Sequence, residues 1–293
     1  MSQQSVGVIG LGQMGGRIAA RLATLGFSVI GYDALPGTRD QAAAGGIEVV
    51  TSASEVGRRA DIVITSLPDL QIVREVLLGH DGVAAAAPRL IVDMSTGAPG
   101  AARALAADAA AAGLTYLDAP VTGGPDGAAA GTLGIMVGGS ESAFEAARPV
   151  LEALGKTVQR CGDSGAGQIA KACNQLVVVA TLGAVAEALV MAERSGIDAV
   201  KTRDVLLAGY AASPILANQG LRMLQGDFAP RGKARYNLKD IDTLRHLSAE
   251  HGLALPVFAA ASGYIEELIA AGGADLDHSA IITVVRKQGE ERA

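Results

Sequence analysis

A lysine and two side-chain amides are spaced so that they can share one face of a helix. Lys171, Asn174 and Gln175 follow a glycine-containing segment that starts at Gly165, and positions i, i+3 and i+4 of a helix point to the same side. The predicted helix is otherwise apolar through Val190. A primary amine and two amides on such a helix suit a proton-transfer site. The alternative is a lysine that lays its stem along apolar surface and keeps its charge in water.

A second chemical signature lies near the N-terminus, where glycines stand at positions 10, 12 and 15. Val6 to Ile9 is typical of a short buried strand, and Arg17 to Leu25 has helical periodicity. Gly-x-Gly-x-x-Gly between a strand and a helix is the dinucleotide fingerprint: the first glycine permits the turn, the second lets a pyrophosphate approach, and the third lets the helix pack on the strand. The N–H groups at the helix N-terminus would bind the phosphates.

An acidic residue follows at the end of the next predicted strand. Phe27 to Tyr32 is mainly apolar and is followed by Asp33. A carboxylate at this place accepts hydrogen bonds from the adenosine ribose hydroxyls of NAD, and it would repel the 2′-phosphate of NADP. NAD is therefore the predicted cofactor. The alternative is a glycine-rich turn in an unrelated α/β protein.

The composition argues against several other classes of function. Only 18% of the 293 residues are charged and the net charge is −6, so nucleic acid is not an expected partner. The N-terminal residues lack the basic region of a signal peptide, and the apolar run from Leu176 to Ala186 is shorter than the ~20 residues that span a bilayer. Cys161 and Cys173 are consistent with a reducing cytoplasm. The four histidines lack ligand spacing, so no metal site is expected.

The hydrophobic pattern predicts two domains. Up to about Gly162, short apolar strands alternate with helical stretches, which predicts an α/β fold with a Rossmann-type doubly wound sheet over residues 1–163. The predicted strands are Val6–Gly10, Val29–Tyr32, Glu48–Val50, Asp61–Ser66, Leu90–Asp93, Leu114–Asp118, Leu133–Val137 and Thr157–Arg160. Residues 164–293 are predicted to form an all-helical domain for substrate binding and oligomerisation. It begins with a long joining helix over 167–194, followed by helices over 198–207, 215–224, 238–251, 257–271 and 279–286.

Three of the predicted strands end in polar loops. These loops are Thr65–Pro68, Asp93–Thr96 and Asp118–Gly124. Ligands of doubly wound sheets bind beyond the carboxyl ends of the strands, so the three loops are expected to surround the nicotinamide. Each of them taken alone could be an ordinary turn between a strand and a helix.

Together these motifs resemble the β-hydroxyacid dehydrogenase family, which includes 3-hydroxyisobutyrate dehydrogenase and tartronate semialdehyde reductase. The resemblance rests on Gly10–Gly15, Asp118–Gly124, Gly165–Gln175 and Leu238–Asp240, and it covers nearly the whole chain. It implies a Rossmann domain, a helical domain, and homodimers or homotetramers in which the helical domains pack together. It also implies that Lys171 is the catalytic lysine and that Thr122, Gly123 and Gly124 hold a substrate carboxylate.

The resemblance further implies which residues contact the cofactor. Besides Asp33, these are Gly10, Leu11, Gly12, Gln13, Met14, Gly15, Leu67, Pro68, Thr96 and Lys239. The chain departs from the family at three places: Thr122 replaces the common Ser, Gln175 replaces the second Asn of the dehydrogenase branch, and Pro230-Arg-Gly232 replaces Pro-Gly-Phe. The methyl group of Thr122 would narrow the substrate pocket. The last departure puts the usual substrate in question, because that segment borders the pocket in the family.

The chemistry expected of such a site is the oxidation of a small β-hydroxy acid or the reduction of a semialdehyde. The hydride would go to NAD, since no side chain can accept it, and Lys171 would take the proton. A free lysine, with a pKa of about 10.4, is a poor base at neutral pH, but partial burial beside a cationic nicotinamide would lower that pKa. Asn174 or Gln175 would orient the substrate oxygen.

Two other functions remain open on the sequence. An imine reductase has the same architecture, but it typically replaces the lysine and favours NADP, so Lys171 and Asp33 argue against it. A non-catalytic dinucleotide-binding protein need not retain Lys171. Turnover on a panel of hydroxy acids distinguishes the latter from an enzyme.

Overall fold

Short apolar segments of the N-terminal half form the strands of one sheet in the computed structural model, which describes residues 4–85 and 90–288. In chain order the strands are β1 (Ser5–Ile9), β2 (Ser28–Tyr32), β3 (Glu48–Val49), β4 (Ile62–Thr65), β5 (Leu90–Asp93), β6 (Thr115–Asp118), β7 (Val121–Thr122), β8 (Leu133–Gly138) and β9 (Gly155–Gly162). All eight predicted strands are present. Strand β7 was not predicted, because Val121 and Thr122 lie between a proline and two glycines and form a strand only by pairing with β8.

The order of the strands identifies the fold. Within the described residues the order is β3-β2-β1-β4-β5-β6-β8-β7, with β9 beside β8. The strands from β3 to β6 are parallel, whereas β8 runs antiparallel to β6 and β7. The order 3-2-1-4-5-6 is that of a doubly wound dinucleotide-binding sheet, so the predicted fold class is confirmed.

Helices cover both faces of this sheet. They are α1 (Gly15–Thr24), α2 (Pro36–Ala44), α3 (Ala53–Arg59), α4 (Leu70–Leu78), α5 (Pro99–Ala111), α6 (Gly124–Ala130) and α7 (Glu141–Leu154). Consecutive strand residues enter different apolar clusters: Val8 packs in one cluster and Ile9 in the other. Because side chains alternate along a strand, both faces are buried, as a parallel sheet requires.

The C-terminal part of the described chain is helical. It contains α8 (Ala166–Arg194), α9 (Ala199–Leu207), α10 (Gly220–Gln225), α11 (Asn237–Glu250), α12 (Pro256–Leu268) and α13 (Ile281–Lys287). Two predicted helices are less regular than expected, because π-helical turns occupy Ile215–Gln219 and Ile269–Gly273. In the second turn Gly272 adopts a φ of 88°, which interrupts the helix.

The chain divides into two compact units, Met1–Lys171 and Ala172–Ala293. The division lies inside α8, whereas the sequence pattern placed the domain boundary after residue 163. Val179, Leu182 and Leu189 of α8 belong to the apolar core of the second unit. By length and composition alone α8 could cross a membrane, and 44% of its most apolar stretch is buried within the described chain. A single helix of this kind does not establish a membrane span, because core helices of soluble proteins have a similar length and composition.

Candidate active site

The three glycines of the first turn are required for different reasons. Gly10 has a φ of 89°, and a Cβ atom at this residue would lie 2.3 Å from the carbonyl oxygen of Ser66. A Cβ atom at Gly15 would lie 1.8 Å from the carbonyl oxygen of Gly10. A Cβ atom at Gly12 would meet nothing within 4 Å. The fold therefore requires Gly10 and Gly15, whereas Gly12 leaves open space beside the turn, which fits a bound pyrophosphate.

Asp33 is hydrogen-bonded to this turn. Its Oδ2 accepts a hydrogen bond of 2.8 Å from the backbone N–H of Leu11, and its Oδ1 accepts one of 2.9 Å from Leu35. The guanidinium of Arg39 donates to the backbone carbonyl of Asp33 at 2.6 Å. A carboxylate offers about four acceptor positions, so two of them remain for ribose hydroxyls. The carboxylate is thus fixed at the place where the fingerprint needs it.

The Leu67-Pro68 loop follows β4 and lies against the same turn. A Cβ atom on Gly10 would come within 2.9 Å of the Leu67 side chain, and the N–H of Leu67 donates to Ser95 Oγ at 3.0 Å. Leu67 is partly buried and Pro68 is exposed. The loop after β4 is therefore tied to the loop after β5, which contains Thr96.

Asp93 fixes the start of that second loop. Its Oδ1 accepts hydrogen bonds from Thr65 Oγ1 at 2.8 Å and from the N–H of Ser95 at 2.9 Å, and its Oδ2 accepts one from the Tyr116 hydroxyl at 2.7 Å. Burial raises the pKa of Asp93 and that of Tyr116. Asp93 is completely buried, so it anchors the start of the loop from inside the protein. The expectation that the Asp93–Thr96 loop surrounds the nicotinamide stays a prediction.

Asp118 also faces inward, toward the start of α8. Its Oδ1 accepts from the N–H of Gly165 at 2.7 Å, and its Oδ2 accepts from the N–H of Gln168 at 3.0 Å. Burial raises the pKa of Asp118, and these two N–H groups partly oppose that shift. Asp118 therefore supports the beginning of the helix that contains Lys171. Asp118 is fully buried, and the expectation for the loop that follows it stays a prediction.

The segment Thr122-Gly123-Gly124 forms the turn between β7 and α6. Gly123 and Gly124 have φ values of 117° and 63°, which only glycine adopts readily. A Cβ atom at Gly124 would meet nothing within 4 Å, whereas one at Gly134 would lie 2.9 Å from the Thr122 methyl. The methyl of Thr122 therefore lies beside Gly134 of the paired strand β8, and its expected narrowing of a substrate pocket stays a prediction.

Lys171, Asn174 and Gln175 all lie in the continuous helix α8, and all three are partly buried. Asn174 Nδ2 donates to Gln175 Oε1 at 2.9 Å, and Gln175 Nε2 donates to Asp240 Oδ2 at 2.6 Å. The Gln175 amide is thus held between two protein groups. Lys239 is exposed in the first turn of α11.

Hydrogen bonds connect several of the predicted site residues. Asp33 is bonded to the glycine turn, and the Leu67 loop is bonded to the loop that holds Thr96. Asn174 is bonded to Gln175, and Gln175 is bonded to Asp240. Lys171 belongs to the first compact unit, whereas Asn174, Gln175 and Lys239 belong to the second.

Sequence reasoning missed Gln168, whose side chain is almost completely buried. Its Nε2 donates to the carbonyl oxygen of Ser95 at 2.8 Å, and its Oε1 accepts from the N–H of Gly97 at 3.0 Å. Gln168 lies inside the quoted Gly165–Gln175 motif. A glutamine in a predicted buried helix, one turn before a candidate lysine, was a signal that could have been used, because a buried amide needs partners.

The segment that departs from the family, Pro230–Gly232, is held by a buried acid. Asp277 is fully buried, and its Oδ2 accepts from the N–H groups of Arg231 and Gly232, both at 3.0 Å. The same oxygen lies 3.1 Å from Nη1 of the buried Arg222. This arrangement fixes the backbone of the segment.

The imidazole of His278 lies next to this ion pair. Burial lowers the pKa of His278, and Asp277 partly opposes that shift. Burial alone would raise the pKa of Asp277, but the interactions with His278 and with the N–H groups of Gly232 and Ser279 lower it overall. We expect a neutral His278 near neutral pH, so that Arg222 is the cation that faces Asp277.

In the described residues, no group of three or more histidine, cysteine, aspartate or glutamate side chains is arranged to hold a metal ion. The polar groups around the glycine turn are backbone N–H groups and one carboxylate, which suit a dinucleotide.

Comparison with known proteins identifies the family. The model for the NAD-binding domain of 6-phosphogluconate dehydrogenase matches residues 5–162, and the model described as NAD-binding of NADP-dependent 3-hydroxyisobutyrate dehydrogenase matches residues 165–285. The chain belongs to the β-hydroxyacid dehydrogenase family of oxidoreductases. It is 38% identical to 2-hydroxy-3-oxopropionate reductase of Escherichia coli over 94% of this chain and 95% of that protein. It is 36% identical to 2-(hydroxymethyl)glutarate dehydrogenase of Eubacterium barkeri, over 95% and 94% of the two chains.

Solved structures agree with this family. The 3-hydroxyisobutyrate dehydrogenase of Mycobacterium tuberculosis with L-serine superposes with a TM-score of 0.86 and 37% identity, over 97% of this chain and 99% of that one. An imine reductase from Myxococcus stipitatus has a TM-score of 0.65 and 22% identity, over 95% of this chain and 98% of that one. The latter likeness shows the fold alone.

Proposed function

We propose that this protein is an NAD-dependent dehydrogenase of a small β-hydroxy acid, or a reductase of the corresponding semialdehyde, with Lys171 as the proton-transferring group. The observation that carries the proposal is the Asp33 carboxylate bonded to the glycine turn beside the open position at Gly12. Relatives with names of this activity match almost the whole chain. These names include a reductase of an oxoacid and a dehydrogenase of a hydroxy acid.

The proposed cofactor site lies along the carboxyl ends of β1, β2, β4 and β5. The backbone of the turn from Gly10 to Gly15 would bind the pyrophosphate, and Asp33 would bind the adenosine ribose. Leu67, Pro68 and Thr96, which belong to the same compact unit, would complete the contacts. A bound nicotinamide supplies the hydride acceptor, which no side chain provides. The negative charge of Asp33 favours NAD, because it would repel the 2′-phosphate of NADP.

Lys171 is proposed to accept the hydroxyl proton during oxidation and to donate it during reduction. Its place in the continuous helix α8, one turn after the buried Gln168, supports this role. A group of this kind typically accelerates a reaction by about 10² to 10⁴. The loop Thr122-Gly123-Gly124 is proposed to hold the carboxylate through backbone N–H groups. Asn174 or Gln175 is proposed to orient the substrate oxygen; the amide nitrogens of both donate to protein groups in the present structure.

We also propose a cytoplasmic homo-oligomer, either a dimer or a tetramer, in which the helical units pack together. Apolar side chains on helices of the second unit support this arrangement: Val177 is 60% exposed, Met191 68%, Val205 73% and Val257 68%. Clusters of exposed apolar residues commonly mark protein interfaces. Cys161 and Cys173 are free and exposed thiols, which supports a reducing compartment.

The proposed activity can be tested by measuring NADH production from a panel of acids that contains 3-hydroxyisobutyrate, glycerate, L-serine and 2-(hydroxymethyl)glutarate. A matched alcohol that lacks the carboxylate, such as 2-methylpropan-1-ol for 3-hydroxyisobutyrate, is the control. We expect turnover of at least one acid and a loss of kcat as well as affinity for the alcohol, because remote binding energy orients the reacting carbon. No turnover of any acid, or equal turnover of the alcohol, contradicts the proposal.

A further inference from the structure

The buried amide of Gln168 holds both residues that flank Thr96. Gln168 is 1% exposed. Its Nε2 donates to the carbonyl oxygen of Ser95, and its Oε1 accepts from the N–H of Gly97. A single side chain thus binds the loop on either side of the residue that the family resemblance assigns to the cofactor. The backbone of Thr96 cannot move relative to α8 unless one of these two bonds breaks.

The partners of Gln168 are themselves fixed. The N–H of Ser95 donates to Asp93, and its Oγ accepts from Leu67. The backbone N–H of Gln168 donates to Asp118 at 3.0 Å. The amide therefore connects two firmly held elements, the loop after β5 and the first turn of α8. It belongs to no apolar cluster and has no exposed surface with which to bind a ligand directly.

Lys171 lies three residues after Gln168 in α8. Residues i and i+3 of a helix project to the same side. The side chain of Lys171 therefore projects from the side of α8 whose residue Gln168 binds the Ser95–Gly97 loop. Gln168, Lys171 and this loop all belong to the first compact unit. The Gln168 amide thereby determines the distance between the Cα atom of Lys171 and the Ser95–Gly97 loop.

We propose that Gln168 is a positioning residue that sets the distance between Lys171 and the cofactor loop Ser95–Gly97. This proposal rests on the proposed function of Lys171. The position needs a side chain that donates to one carbonyl and accepts from one N–H at the same time. Glutamine does so at this length, whereas methionine has no donor and an ionised glutamate cannot donate. A displacement of about 1 Å in a reacting group can reduce a rate by about 10².

The first experiment compares Gln168→Met with the wild type. Gln219→Met is the matched control, because Gln219 Oε1 is buried without a hydrogen-bond partner among the described residues and lies in the second unit. We expect Gln168→Met to lower kcat for 3-hydroxyisobutyrate by about 10- to 100-fold. NADH affinity and the number of NADH sites, measured by fluorescence, should change by less than threefold. The deuterium isotope effect on kcat should rise, because hydride transfer becomes slower than product release.

A second readout does not require turnover. In protein labelled at lysine Cε, the NMR signal of Lys171 is identified by its loss in Lys171→Arg. We expect NADH to shift the titration midpoint of this signal in the wild type and in Gln219→Met, and to shift it less in Gln168→Met. If the wild type oxidises none of the acids, the proposed function fails, but this comparison still tests the role of Gln168.

A third readout is rescue by a conservative variant. A protonated carboxylic acid has one donor and one acceptor, so Gln168→Glu should recover activity relative to the wild type at acidic pH and lose it as the new carboxyl ionises. Burial and the neighbouring Asp118, which is bonded to the backbone N–H of residue 168, would raise the pKa of the new carboxyl. The reduction of tartronate semialdehyde is the suitable assay, because it consumes a proton.

The proposal is overturned if Gln168→Met keeps kcat within twofold of the wild type. The proposal is also overturned if kcat of Gln168→Met falls only in proportion to the number of lost NADH sites, while the isotope effect and the Lys171 titration stay unchanged. That is the behaviour of a merely structural residue. A Gln168→Met protein that fails to fold leaves Gln168→Glu as the deciding variant. An activity ratio of Gln168→Glu to the wild type that does not depend on pH then rejects the proposal.

Discussion

Replacement of Asp277 by asparagine should destabilise the helical unit strongly, although the two side chains have nearly the same shape. Oδ2 of Asp277 faces Arg222 and two backbone N–H groups, and Oδ1 accepts from the N–H and the hydroxyl of Ser279. An amide keeps one oxygen, so its NH₂ group must face donors in either orientation. Arg222, only 7% exposed at its side chain, would lose its fully buried partner and keep only Asp227, whose side chain is 44% exposed. Breaking a buried ion pair in this way costs about 3–5 kcal/mol.

Thermal unfolding followed by circular dichroism measures this loss. For a unit of this size, about 4 kcal/mol corresponds to a fall in Tm on the order of 15 °C. Hydrogen exchange should show faster exchange at the N–H groups of Arg231 and Gly232. Asp275→Asn is the matched control, because Asp275 is 64% exposed and pairs with Lys233 and Arg235 at the surface. Such pairs contribute about 1 kcal/mol or less. If Asp277→Asn melts within about 3 °C of Asp275→Asn, the buried pair does not stabilise the unit as argued.

Three further predictions concern the proposed site and the pH dependence of stability. Lys171→Ala should lower kcat by about 10² to 10⁴ and change the NADH affinity only a few-fold. Lys171→Arg should restore little of the lost activity, because a guanidinium stays protonated. If Lys171→Ala keeps most of its turnover, Lys171 is not the proton-transferring group. The wild type should have a kcat/KM at least ~10-fold higher with NAD than with NADP. Asp33→Asn should reduce this preference, since it removes the charge beside Arg39 that repels the 2′-phosphate of NADP. Equal use of both cofactors by the wild type refutes the assignment of Asp33. The pKa of His278 is lowered in the folded state from 6.5, so just below that pH only the unfolded chain binds this proton. The free energy of unfolding should therefore fall as the pH decreases, by up to about 1.4 kcal/mol per pH unit. Urea unfolding between pH 7.5 and pH 5.5 should show a smaller decrease for His278→Gln than for the wild type, and an equal decrease contradicts the shift.

The sheet and the long helix could be predicted because their signals are local. Apolar runs such as Val6–Ile9 predict buried strands without knowledge of their neighbours, and the glycine spacing before α1 identified the turn. Strand β7 was missed because its two residues form a strand only through pairing with Ile135 and Gly134. The first compact unit ends at Lys171, inside α8, whereas the two family models meet between residues 162 and 165, near the predicted boundary. Helical periodicity could not predict the division inside α8, since it continues regardless of which core the residues enter.

The inward-facing polar residues could not be predicted. Asp93 and Asp118 end strands, where ligand-binding residues are common, and the sequence has no feature that distinguishes a carboxylate turned toward solvent from one turned inward. The partners of Gln168 lie 71 and 73 residues away in the chain, and only the fold brings them together. The hydrogen bond of Gln175 to Asp240, 65 residues later, likewise depends on the fold, and the substrate-binding role of Gln175 stays a prediction.

The three glycines of the first turn are subject to different evolutionary constraints. A side chain at Gly10 or Gly15 would collide with backbone oxygens, so any descendant that keeps the fold must keep these two glycines. Gly12 meets nothing within 4 Å of an added Cβ atom and does not need a positive φ, so the folded chain alone would accept alanine there. A lineage that gave up the dinucleotide could therefore replace Gly12 without loss of stability. A related sequence that keeps Gly10 and Gly15 but replaces Gly12 is therefore expected to keep the fold and to have lost dinucleotide binding.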